Sequence, residues 1–207
     1  IRLSLVGSEM CIRDRYLHIG GDEAKSTHID DYKRFLAKVQ EHVQSLGKQM
    51  VGWQEISQVD LEPGSIVQYW TDQTEIAELP DGVQVVMSPA SRTYLDMKYH
   101  PDCRLGLSWA GYLNVQDAFT WDPHKYLDTI PSSRVIGLEA PLWSETLETI
   151  ADIEYMLFPR LLALSQIGWS QNIERDFDQF SKRLAYQGGL LYNLGVNFYR
   201  SPLIDWI

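Results

Sequence analysis

Asp22 and Glu23 stand side by side behind a glycine pair, in Tyr16-Leu17-His18-Ile19-Gly20-Gly21-Asp22-Glu23-Ala24. Adjacent carboxylates in a partly desolvated site repel one another, so one can be held protonated near neutral pH while the other stays charged. Such a pair can do acid and base work. A β-prone run, residues 16–19, precedes it, and the glycines let the chain turn tightly or approach a ligand closely. A strand end of this kind hands acids to a cleft. The same residues also read as a plain turn into a helix N-terminus, where acids sit well against the helix dipole. The motif by itself leaves both readings open.

The 207 residues have the length of one domain or of a piece of a larger one, with 44% apolar residues to build a core. A net charge of −10 argues against nucleic acid or an anionic membrane as partner, since both call for clustered Lys and Arg. Seven Trp and eleven Tyr, several beside acids at expected strand ends, suit a sugar instead: its C–H face stacks on rings while its hydroxyls donate to carboxylates. Cys11 and Cys103 are too few for a disulfide framework. No apolar run is long enough to span a bilayer, and residues 1–15, with Glu9, Arg13, Asp14 and Arg15, do not form a signal peptide.

The elements that must carry these residues follow from periodicity. Ile29, Tyr32, Phe35, Leu36, Val39, Val43 and Leu46 recur at helical spacing and predict an amphipathic helix over 29–47, closed by Gly47. Lys48-Gln49-Met50-Val51-Gly52-Trp53-Gln54-Glu55 reads as a short strand ending on a Trp and polar residues, and residues 65–70, after the Pro63-Gly64 turn, as a strand ending on Trp70. A short helix is expected over 72–79, a strand over 83–88 and a strand over 134–140. Between the last two, the loop-rich region 89–122 carries Tyr94, Asp96, Tyr99 and Trp109 and is expected to line a site rather than fill a core. A helix over 147–167 kinked at Pro159 and a final helix over 176–194, weakened at Gly188-Gly189, complete the chain. Strands alternating with helices predict a parallel α/β sheet. The chemically interesting residues all follow strands, as at the active face of a (β/α) barrel, yet only about five strands are present where a closed barrel needs eight.

The segment His18-Ile19-Gly20-Gly21-Asp22-Glu23 resembles the H-x-G-G-D-E signature of family 20 glycoside hydrolases, the β-N-acetylhexosaminidases. Similarity continues through Gly52-Trp53, Gln68-Tyr69-Trp70, Thr93-Tyr94-Leu95-Asp96, Gly106-Leu107-Ser108-Trp109, residues 137–145 and residues 194–200, in the family's order. The resemblance implies a (β/α)8 TIM barrel of which strands four to eight are present. It also implies hydrolysis of terminal N-acetyl-β-hexosamine residues without metal or cofactor. In that family the substrate's own 2-acetamido oxygen attacks C1, giving an oxazolinium intermediate and overall retention, an exception to the two-carboxylate scheme. Glu23 would be the general acid and base, its pKa raised by apolar Trp neighbours. Asp22 would orient the acetamido N–H, and Tyr94 would hydrogen-bond the acetamido oxygen. Trp53, Trp70 and Trp143 would wall the sugar, Asp96 and Glu145 would bind its O6 and O4 hydroxyls, and Trp109 would stack near the leaving group.

Other candidates read as structural. Trp169 and Trp206 are expected in the core, because large aromatics usually serve packing. His18 is read as a packed, hydrogen-bonded residue, and His100 with Cys103 lacks any metal-ligand spacing. The acids along 139–154 partly form a solvated helix start, with Glu145 lifted above them by the resemblance. Residues 1–15 do not resemble the family. They look like translated adapter-type sequence, so an incomplete gene is expected, with 16–207 as the C-terminal part of the barrel. The first three strands would then be absent, and with them an Arg that binds sugar hydroxyls, a His and an Asp near the catalytic pair, and the preceding α/β domain. Any export signal would lie upstream, and a secreted or periplasmic full-length protein is compatible with the chain. Three readings follow: the catalytic part of a hexosaminidase, a carbohydrate-binding remnant without turnover, and an inactive fragment.

Overall fold

The structure is a computed structural model that describes residues 15–72, 76–170 and 175–207. Five strands stand in one sheet in chain order: β1 (Tyr16–His18), β2 (Gln49–Trp53), β3 (Ile66–Tyr69), β4 (Gln84–Met87) and β5 (Val135–Leu138). β1 runs parallel to β2 with Leu17 opposite Met50, and β2 parallel to β3 with Gly52 opposite Val67. All five fall within the expected segments. β3 is buried along its whole length, as befits an inner strand covered on both faces. β1 is exposed throughout and β5 over Ile136 and Gly137, the two edges that an open sheet must leave. The chain divides into two compact units, one made of the described residues through Val86 with Ser133–Ile136, the other of Met87–Ser132 with Gly137–Ile207.

In the first unit, α1 (Ile29–Ser45) starts where the His28 side chain accepts from the Asp30 amide, with Asp30 and Asp31 in the first turn against the helix dipole. Its buried stripe is Tyr32, Leu36, Gln40 and Val43. Ile29, Phe35 and Leu46, expected on that stripe, are exposed instead. The stripe turns toward Gln40 because its amide is used: Nε2 donates to the Asp60 carbonyl at 3.0 Å and Oε1 accepts from the Glu62 amide at 3.1 Å. A short 3-10 helix, Gln54–Gln58, follows β2 directly. Of the helix expected over 72–79, residues 76–79 are irregular, and 73–75 lie outside the described residues, as does Cys11.

The second unit contains α2 (Ala90–Thr93), α3 (Val115–Phe119), α4 (Ile150–Leu157), α5 (Arg160–Trp169) and α6 (Phe177–Asn193). Capping boxes start α3 at Asn114 and Asp117 and α4 at Thr149 and Asp152, satisfying orphan amides reciprocally. The expected kink at Pro159 is a full break, with Phe158 extended and a new helix beginning at Arg160. α6 runs unbroken through Gly188-Gly189, and the Trp206 ring lies against Gly188.

Much of the stretch 89–122 is packed, with Tyr94, Leu95, Met97, Tyr99, Cys103, Leu105 and Leu113 all buried, while Trp109 and Tyr112 are exposed. Tyr99 stacks on Tyr199 at 4.0 Å between ring centroids, and Cys103 packs with Leu105, Leu147 and Met156. Arg160 pairs the buried backbone: its fully buried guanidinium donates to four carbonyls, of Leu95 (2.5 Å), Met97 (2.6 Å), Met156 (2.7 Å) and Leu113 (3.0 Å). Loop backbone can be buried only when its polar groups are paired. Trp169 is the opposite case, 92% exposed where a core place was expected. The buried positions of α5 are Arg160, Ala163, Leu164 and Ile167, and a residue two beyond Ile167 points about 200° away from it. Gly106 has φ +93°, and a Cβ there would meet the Asp96 carbonyl at 2.5 Å. Gly106→Ala is expected to cost about 2 kcal/mol or more; an unchanged urea midpoint would contradict this.

Candidate active site

In the first unit the acidic turn hangs on an extended β1–β2 ladder, in which Ile19 donates to the Val51 carbonyl (2.8 Å) and Trp53 to the Gly20 carbonyl (2.9 Å). His18 is hydrogen-bonded as expected, though exposed. The Gly20 amide donates to its Nδ1 at 3.1 Å, so in the neutral ring Nε2 carries the proton and donates to Gln68 Oε1, also at 3.1 Å. Its ring meets Trp53 edge-on at 5.4 Å, and Trp53 meets Trp70 edge-on at 6.4 Å.

Asp22 and Glu23 follow, both exposed. Glu23 has φ +51°, a left-handed conformation uncommon outside glycine, which the surroundings must hold. Its side chain is 55% exposed and Oε1 pairs with Lys25 Nζ at 2.9 Å, rather than lying among apolar rings. This exposed pair contributes little to stability, and the bond to Glu23 raises the Lys25 pKa. Tyr32 donates to the Gly21 carbonyl at 2.6 Å, and burial, then the charges of Glu55 and Asp22, push the phenol up to about 12. It therefore remains a donor beneath the turn. Glu23, Lys25, Tyr32 and Glu55 line a groove of about 220 Å³.

The second unit holds the other candidates. Tyr94 is buried, with its ring against Trp109 at 5.9 Å and Trp143 at 6.3 Å, both of which are exposed. Asp96 is buried beside them, accepting from the Trp143 amide on Oδ1 at 3.3 Å, while Oδ2 has no partner among the described residues. Glu145 is exposed. Thus Trp53 and Trp70 come together in one unit, and Tyr94, Asp96, Trp109 and Trp143 in the other. Among the described residues no group of three or more His, Cys, Asp or Glu could hold a metal ion, and no helix is long and apolar enough to cross a membrane.

Burial pushes the Asp96 carboxyl up to about 6, with the Glu145 charge adding to it and the Trp143 amide and Arg160 opposing it. That lies above the ~3.9 of an unfolded aspartate, so the folded state holds the proton more tightly between the two values. Asp96 thus favours folding fully below about pH 4 and loses that contribution as pH rises through about 6, on the order of 3 kcal/mol in all. Relative to Asp96→Asn, the unfolding midpoint of the unsubstituted chain is expected to fall across that window; parallel pH profiles would contradict it.

Residues 27–172 match the model of glycosyl hydrolase family 20, catalytic domain. The chain belongs to this family. The beta-N-acetylhexosaminidase of Cellulomonas fimi is 41% identical over 195 residues, covering 92% of this chain and 39% of the relative. The GH20 beta-N-acetylhexosaminidase of Streptomyces coelicolor A3(2) aligns with a TM-score of 0.89 at 40% identity, over 98% of this chain and 43% of that one. The N-acetyl-beta-hexosaminidase of Streptomyces plicatus, solved with Thio-NAglucal, aligns with a TM-score of 0.89 at 42% identity, over 98% and 42%. The chain therefore spans about two-fifths of the length of these relatives. Its sheet is part of the family 20 TIM barrel. The family match begins after the acidic turn, so the signature residues stand outside the matched span.

Sequence reasoning treated Gln54 and Glu55 only as polar residues ending a strand. Gln54 is fully buried: Oε1 accepts from the Trp70 and Thr71 amides, both at 2.9 Å, and Nε2 donates to the Thr71 carbonyl at 3.0 Å. Glu55 takes the Glu23 amide on one oxygen and the Trp70 indole on the other. The available signal was two polar residues directly behind a strand-end Trp in a family 20 chain.

Proposed function

We propose that this chain belongs to a β-N-acetylhexosaminidase and serves hydrolysis of terminal, non-reducing N-acetyl-β-D-hexosamine residues by a retaining, substrate-assisted mechanism. The observation that carries the reading is the β1 turn, which in a family 20 chain holds Asp22 and Glu23 exposed behind a strand end with Glu23 in a constrained backbone conformation. Glu23 protonates the glycosidic oxygen as the C1–O bond breaks, while the acetamido carbonyl oxygen forms a bond to C1. Asp22 accepts from the acetamido N–H and offsets the positive charge growing on the oxazolinium. Glu23 then takes a proton from water as that water attacks C1 and the C1–O bond to the acetamido oxygen breaks, restoring the acetamide, and two inversions give retention. Trp53 and Trp70 offer apolar faces to the sugar.

In the second unit, the Tyr94 hydroxyl serves as donor to the acetamido oxygen, Trp143 as a further wall and Trp109 as a platform toward the leaving group. Asp96 and Glu145 accept from sugar hydroxyls. The unpartnered Oδ2 of Asp96 supports this, because a buried acceptor without a donor gains most from a ligand hydroxyl. An amide oxygen is a weak nucleophile, so orientation and preorganised charge must supply the rate.

The test compares 4-nitrophenyl N-acetyl-β-glucosaminide with the matching β-glucoside, which lacks the acetamido group. Release from the first and not the second is expected, and comparable release from both would refute substrate assistance. The second reading, carbohydrate binding without turnover, is favoured by the Lys25–Glu23 pair, which occupies the acid's oxygen. Saturable N-acetylglucosamine binding with no release from either glycoside would select it.

A further inference from the structure

Glu55 lies in the first turn of the 3-10 helix that follows β2 and is half-buried. Its two oxygens do separate jobs. Oε1 accepts from the backbone N–H of Glu23 at 3.3 Å, 32 positions away in sequence, and Oε2 accepts from the Trp70 indole Nε1–H at 3.1 Å, 15 positions away. Glu23 occupies a left-handed conformation that needs support, and its amide is the group Glu55 holds. Trp70 already has its backbone tied to Gln54, so the Glu55 bond concerns the orientation of the ring.

We infer that Glu55 is a positioning residue, a two-pronged acceptor that ties the turn presenting Glu23 to the ring of Trp70. Only an ionised carboxylate meets both needs: each prong faces a donor, and a carboxamide of the same shape would turn an NH2 group toward one of them. The carboxylate also makes both bonds charge-assisted. The functional consequence rests on the reading of Glu23 as acid; the bridge itself does not.

The test is therefore in two arms. The first is NMR of the 207-residue chain labelled with 15N, comparing it with Glu55→Gln and, as a second variant should Gln impair folding, Glu55→Asp. The expected result is that the Glu23 amide and the Trp70 indole resonances both move, while the Trp109 and Trp206 indoles stay in place. If either of the first two is unmoved in a folded variant, the bridge is refuted. The second arm is hydrolysis. Glu55→Gln is expected to lower kcat about tenfold with KM changed by no more than about threefold, and Glu55→Asp to recover part of the loss, because misplacing an acid costs mainly the chemical step. Unchanged kcat with both resonances moved would overturn the catalytic consequence. A Glu23→Gln chain that retains full activity would instead overturn the acid assignment, leaving the NMR result to decide the bridge separately.

Discussion

Glu23→Gln is expected to lower kcat/KM for the N-acetylglucosamine disaccharide by about 10²- to 10⁴-fold, the usual worth of a general acid. Glutamine keeps the size of the side chain and can still receive a hydrogen bond, but it has no proton to give to a sugar oxygen leaving as an alkoxide. The loss should fall in kcat, with KM little changed, because the proton moves in the transition state rather than on binding. A 4-nitrophenyl leaving group departs without full protonation, so its release should fall less. The backbone of Glu23 is held through its own amide and carbonyl, by Glu55 and the Lys25 amide, so the substitution leaves those bonds in place. Equal rates for the two enzymes on the disaccharide would refute the assignment of Glu23.

Arg160→Ala is expected to destabilise the second unit by on the order of 4–5 kcal/mol, a large share of the 5–15 kcal/mol that holds a typical domain folded. The side chain is fully buried, donates to four carbonyls and lies 3.8 Å over the Tyr99 ring. Removing it strands those acceptors away from water, at about 1–3 kcal/mol for each buried group left unpaired, though such losses do not add fully. Arg160→Lys keeps the charge but not the planar fork that reaches several acceptors at once, so it should also be costly. Urea unfolding followed by near-ultraviolet signal from the Tyr99 and Tyr155 cluster would measure both, and a loss below about 1 kcal/mol for the alanine variant would contradict the account. The carbonyls that Arg160 grips at Leu95 and Met97 flank Asp96, so milder substitutions should loosen Asp96 before they unfold the chain.

What the sequence determined by itself is what depends on neighbours along the chain. The helical spacing of α1, the strand segments, and the succession of acids and Trp just behind strands are local or periodic patterns. They pointed to a parallel α/β sheet with the candidate residues at its carboxyl ends, and the family 20 motifs pointed to the same barrel. Tertiary structure decided everything that joins distant residues. Arg160 falls inside the helix expected over 147–167, yet its partners at Leu95, Met97 and Leu113 lie 47 to 65 positions away and pair the backbone of a loop-rich stretch that is thereby packed. Trp169 reads as core by composition and is exposed because helix geometry turns it from the buried face of α5. Gln40 lies on the buried face of α1, where its amide satisfies the loop at Asp60 and Glu62, while the apolar Phe35 is exposed. Glu55 gained its two donors only when β1, β2 and β3 were laid side by side. Apolar periodicity records which face avoids water, but a polar side chain takes its place from a partner that only the folded topology supplies.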